Sequence, residues 1–201
     1  PEPRRSPDPV DMSGFWEVDY ARSDNLQARF STMVRQLNES QRRAAAAERN
    51  NRAPVSAGGT SREALLGLVQ MAELITASQL LEVEQDRVSI RVEREGNFSL
   101  SCDYGLEGRA ANEYGVGREL CYWEGEQLVY YIVLPDGLRI SHRLSLAGDR
   151  RSLAIDTTVF SSAVSQPFSV RRVYRRYVPG SRGYRCTETL TRGRVCTTEA
   201  S

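Results

Sequence analysis

Leu138-Arg139-Ile140-Ser141-His142-Arg143-Leu144-Ser145-Leu146 alternates apolar and polar side chains along its whole length. Leu138, Ile140, His142, Leu144 and Leu146 share one face, and Arg139, Ser141, Arg143 and Ser145 share the other. A period of two is the signature of a strand with one buried and one wetted side. Pro135-Asp136-Gly137 turns the chain into this strand, because Pro presets φ and Gly accepts the left-handed position. Gly148-Asp149 turns it out again.

The same code extends in both directions. Downstream, Leu153, Ile155, Thr157 and Val159 mark a further strand, and Pro167 introduces a last one over 168–177. Upstream, 128–134 is apolar on both faces, and 120–123 is a strand closed by the hairpin signal Glu124-Gly125-Glu126. Beyond a Gly-rich passage over 105–117, Phe98, Leu100, Cys102 and Tyr104 alternate, and across Glu95-Gly96-Asn97 so do Val88, Ile90 and Val92. From 80 to 177 the chain therefore reads as roughly eight to nine antiparallel strands in series, a sandwich or an up-and-down barrel. Short sequential hairpins favour the barrel.

Length and composition set bounds. A chain of 201 residues holds one substantial core. The expected organisation is an extended leader over 1–12, rich in Pro, one barrel domain over 13–178 with an inserted helical segment over 24–78, and a polar tail over 179–201. Formal net charge is +1, so bulk electrostatics name no acidic partner and no nucleic acid is expected. The basic residues are all Arg, a pattern that genomic base composition also produces. No apolar run reaches the roughly 18 residues of a membrane-spanning helix. The four cysteines lack C-x-x-C spacing and companion histidines, which argues against zinc and for disulfides in an oxidising, periplasmic or secreted setting, with room for an anchor in a preceding segment. Cys102 and Cys121 lie on strands either side of the Gly-rich passage, and Cys186 and Cys196 flank a short hairpin in the tail. Those are the expected pairs.

Two helices interrupt the β pattern. Leu26, Phe30, Met33, Val34 and Leu37 form one helical stripe behind a capping-box-like Asp24 and Gln27, and the Ala-rich 41–51 prolongs it. After a loop over 52–59, Thr60 and Glu63 open a second helix over 60–77. Its apolar face, Ala64, Leu65, Leu68, Val69, Ala72 and Ile75, is widened by Leu66, Met71 and Leu74. This insertion is read either as a lid on one mouth of the barrel or as a contact for a protein or membrane surface.

Ser13 to Tyr20 forms a first strand containing Gly14-Phe15-Trp16. A Gly-x-Trp there, followed by helix, meander and an Arg-bearing last strand, resembles the lipocalin-like (calycin) barrels over about two thirds of the chain. The resemblance implies that Trp16 packs under a last-strand arginine and closes one end of the barrel. Arg172 shares a face with Phe168, Val170 and Tyr174 and is the expected partner; Arg175 is the alternative if the register slips by one.

No catalytic or cofactor motif stands in the chain. His142, the sole histidine, has no nucleophile elbow beside it, so a hydrogen-bonded interior role is preferred to a catalytic one. Arg171, Arg172, Arg175 and Arg176 divide two and two between strand faces, which dilutes any apparent nucleic-acid patch. The expected function is non-catalytic: the barrel binds an apolar or amphiphilic small molecule or lipid, with His142 as polar tether and Tyr122, Tyr130 and Leu144 as companions. The alternative is a surface-interaction module with a solid barrel. A cavity of several hundred Å³ separates the first from the second.

Overall fold

The computed structural model describes residues 9–49, 62–104, 109–114, 117–134, 137–179, 184–189 and 193–198. In chain order these form Gly14–Val18 (β1), the helices Leu26–Arg49 (α1) and Arg62–Ile75 (α2), then Leu80–Gln85 (β2), Ser89–Arg94 (β3), Leu100–Asp103 (β4), Arg109–Tyr114 (β5), Gly117–Glu124 (β6), Gln127–Val133 (β7), Arg139–Leu146 (β8), Ser152–Phe160 (β9) and Phe168–Arg176 (β10). A separate hairpin, Tyr184–Thr189 (β11) with Gly193–Thr198 (β12), places Cys186 opposite Cys196 in register. The side chains of that expected pair lie outside the described residues, as do the 52–59 loop and the Thr60 cap.

β1 to β10 form one antiparallel sheet in the order β4-β3-β2-β1-β10-β9-β8-β7-β6-β5. Each half is a sequential meander, and the pairing of β1 with β10 joins them. The free edge strand β4 meets β6 through the Cys102–Cys121 disulfide, with 5.8 Å between Cα atoms. Nine strands, β1–β4 and β6–β10, thus curl into a nearly closed barrel, while β5 pairs along the edge of β6 away from β7. The chain is mainly β, a nearly closed antiparallel barrel with two helices inserted between β1 and β2.

Two strands go beyond the turn signals of the sequence. β5 occupies the Gly-rich passage. β2 is separated from β3 without glycine or proline, because the Asp86 carboxylate accepts from the Val88 and Ser89 amides at 2.8 and 2.7 Å and makes the turn itself.

One end is closed by Trp16, which is fully buried and donates its indole N–H to the Met12 carbonyl at 3.0 Å. Met12 is equally buried, and Gln85 pins Val10 and Met12 through both ends of its amide, so the chain is anchored from residue 10 onward. The arginine over the indole is Arg176, with its guanidinium carbon 4.4 Å from the ring centroid. This corrects the expected Arg172. The register sets Trp16 directly opposite Arg176, and Arg172 lies on the same face roughly 13 Å further along the strand. Arg175 points the other way and pairs with Glu17 at 2.9 Å. Gly14 explains the motif: its φ is +126°, and a Cβ there would stand 2.6 Å from Arg176 Nη1.

The other end is filled by α2. Leu65, Leu68, Val69 and Ala72 pack with Ile140, Val159, Phe168 and Val170 from the inward rows of β8, β9 and β10. The insertion is therefore a plug, and Leu66 and Leu74 are left exposed on its outer side. The α1 stripe packs at the edge of the same cluster. Its cap is Asn25, whose side-chain oxygen accepts from the Ala28 amide at 3.0 Å. Asp24, the expected cap, instead accepts from the Arg171 amide at 2.9 Å and ties the helix start to β10.

Candidate functional site

Between the Trp16 end and the α2 plug, the inward rows carry polar side chains. His142 occupies the middle of the β8 row and is 2 % exposed. Its register partner Thr157 on β9 offers Oγ1 at 2.9 Å from the ring Nδ1. Burial, reinforced by the neighbouring Arg94 charge, holds the imidazole down to about 3 from its usual 6.5. His142 is thus a neutral, enclosed group.

His142 faces a cavity of about 10 Å³, whose lining includes Ser78, Arg94, Thr157, Arg172 and Tyr174. That is space for about one water molecule. The space beside His142 is thus far below several hundred Å³, because Trp16, Tyr130 and Phe168 fill the barrel axis and α2 fills the mouth. A groove of about 310 Å³ flanked by Phe15, Glu82, Glu93 and Tyr177 lies elsewhere, over β1–β3.

The small cavity has an unusual charge balance. Its lining contains two guanidinium groups and no carboxylate. Arg172 donates from Nη1 to the Asp24 carbonyl at 3.4 Å, while its Nε is buried with no partner. The Ser78 hydroxyl is likewise buried and unpartnered. Arg94 donates from Nε to the Phe98 carbonyl at 2.7 Å and from Nη1 to the Ile75 carbonyl at 3.3 Å. Burial pulls its pKa down from the usual arginine value. The carboxyl that feels Arg94 is Glu119 on β6, raised by burial and drawn partly back by that arginine. The Tyr174 phenol, pushed up to about 12 mainly by burial, donates to the Ser78 carbonyl at 3.0 Å. Each unpartnered buried polar group costs about 1–3 kcal/mol. The cavity lining is therefore cationic, and within it Arg172 Nε and the Ser78 hydroxyl lack partners.

Of the residues singled out by sequence, His142, Tyr130 and Leu144 lie on inward rows and are buried, with Tyr130 directly opposite His142 in register. The Tyr130 hydroxyl is unpartnered, and burial followed by the nearby Glu119 raises its pKa. Tyr122 is not brought to this group: Cys121 faces the core, so Tyr122 faces outward on β6. Arg172 is present, but in the cavity wall and not over Trp16. Arg94 and Ser78 carry no motif. The signal for Arg94 is that it continues the Ile90, Val92 alternation onto the inner face. Among the described residues no group of three or more His, Cys, Asp or Glu side chains is placed to hold a metal ion, and no helix is long and apolar enough to cross a membrane.

No protein-family model and no curated protein matches the chain. Among solved structures, a mutant of the fluorescent protein UnaG aligns with a TM-score of 0.41 at 14% identity, over 82% of this chain and 94% of that one. A luciferase domain from the dinoflagellate Lingulodinium polyedrum aligns with a TM-score of 0.37 at 11% identity, over 88% of this chain and 47% of that one. Similarity at this level carries no functional argument, and the barrel rests on its own strand order and register.

Proposed function

We propose that this chain is a non-catalytic, lipocalin-like binding protein whose barrel receives a small amphiphile by its anionic head. The observation that carries the reading is the pair Arg94 and Arg172 lining one interior cavity that contains no carboxylate. A carboxylate, sulfonate or similar head would satisfy Arg172 Nε and the Ser78 hydroxyl, and would balance the excess charge. His142, held neutral, is a positioning donor or acceptor beside that head and not its counter-ion. The apolar rows of Leu100, Ile155 and Ile75 around the same space suit a short hydrocarbon part. The disulfide fits work in an oxidising compartment, periplasmic or secreted.

A second reading has its own observation. The cavity of about 10 Å³ leaves no room for an acyl chain while α2 is seated, and a barrel that never opens would be a rigid interaction module. Titration of the delipidated protein with dodecanoate and with the anionic fluorophore anilinonaphthalene sulfonate separates the two. Saturable binding is expected, weakened roughly ten- to a hundredfold by Arg172→Gln, the equivalent of losing a charge-assisted hydrogen bond. Absence of saturable binding of both probes would overturn the reading and leave the module.

A further inference from the structure

The carboxyl end of α2 meets the same arginine that the ligand needs. The last carbonyls of a helix have no partner within it and carry the negative end of its dipole. Here they are taken up by the turn between β3 and β4. Asn97 Nδ2 donates to the Leu74 carbonyl at 2.7 Å and to the Ile75 carbonyl at 3.2 Å. Arg94 Nη1 donates to the Ile75 carbonyl at 3.3 Å. Immediately after the helix, Thr76 and Ser78 line the cavity beside Arg94 and Arg172. The plug and the cationic cavity therefore share a group.

We propose that the carboxyl end of α2 is a built-in stand-in for the ligand's anionic head, so that seating of the plug and occupation of Arg94 by a ligand compete. This rests on the anionic-head reading above and adds the regulation of that site. With α2 latched, Arg94 is engaged by the Ile75 carbonyl and the remaining space is too small for more than a water molecule. When an anion takes Arg94, one of the bonds that hold the helix end is lost, and the Leu74 and Ile75 carbonyls are left to Asn97. α2 then loosens as the hydrocarbon part enters. The latched state lowers apparent affinity by the fraction of molecules that are unlatched, and by reciprocity the ligand lowers the stability of the latch.

Two measurements on the intact chain test this. First, amide hydrogen exchange of the wild-type protein over 70–76 should accelerate when anilinonaphthalene sulfonate or dodecanoate is added, whereas β8 and β9 should be protected or unchanged. An ordinary ligand protects its lid, so slower or unaltered exchange over 70–76 in the bound protein overturns the proposal. Second, Asn97→Ala removes two latch bonds without touching the cavity lining. It should bind the fluorophore about three- to tenfold more tightly than wild type, and unchanged or weaker binding overturns the proposal. No binding by either protein sinks the anionic-head reading and this inference with it, whereas binding by both with equal affinity sinks the latch alone.

Discussion

At the residue scale, the inward rows were legible and their registers across strands were not. Gly14 and Trp16 announce a closed barrel end because only a glycine lets a long side chain cross the strand above the indole. Which arginine crosses depends on how β1 and β10 slide against each other, and that is decided by the whole sheet. His142 shows the complementary gap: alternation puts it on an apolar face, but how dry that face is depends on Thr157, Arg94 and the plug. Its depressed pKa has a sign that can be measured. The folded state resists protonation down to about 3 while the unfolded chain takes up a proton near 6.5, so stability from this group is full above about pH 6.5 and is lost as pH falls toward 3. Relative to His142→Asn, the wild-type protein should therefore lose stability with a slope approaching about 1.4 kcal/mol per pH unit below that point. Glu119, whose raised pKa acts with the opposite sign, is common to both proteins and cancels in the difference. Denaturant titrations at several pH values between 7 and 5 check it, and parallel curves would show that the imidazole is not held neutral.

At the scale of elements, helical periodicity marked α1 and α2 clearly, and the apolar surplus on α2 left a choice between lid and contact surface. The structure divides that surplus. Leu68 is buried between α2 and the inner rows of β9 and β10, whereas Leu66 is 44 % and Leu74 68 % exposed. Leu68→Ala should cost about 2–5 kcal/mol, as buried leucine truncations do. For a chain of this size that is a fall in Tm of very roughly 5–20 °C. The double substitution Leu66→Ser, Leu74→Ser should leave Tm within about 2 °C, since surface changes away from special features stay near 0.5 kcal/mol. Thermal melts of the two variants decide it, and equal losses would mean that the outer side of α2 is covered. β2 and β5 were harder to see for a local reason. An aspartate turn leaves no glycine to mark the end of β2, and a strand on the sheet edge has no need of strict alternation.

At the scale of the molecule, the barrel has two seams of different kinds. Between β1 and β10 the backbones pair from Trp16 opposite Arg176 to Val18 opposite Tyr174. Between β4 and β6 no ladder forms. That seam is held by the Cys102–Cys121 bridge and by the edge-to-face rings of Tyr104 and Trp123 at 6.0 Å. Sequence could pair these cysteines, since they flank one passage of chain, but could not reveal that they join one edge strand of the sheet to the last-but-one strand at its other side. The consequence is a barrel whose weakest line is stapled covalently. A loop of about this length, closed by a sequence separation of 19, contributes about 3 kcal/mol in the chain-entropy account. Cys102→Ala with Cys121→Ala should lower stability by that order. It should also act unevenly, because the interactions lost are confined to one seam. Amide exchange over 100–103 and 118–124 should rise well before that of β1, β9 and β10, whose ladders are intact. A uniform rise across all strands would mean instead that the bridge stabilises the barrel only through the unfolded chain, and that the β4–β6 seam is held by its packing alone.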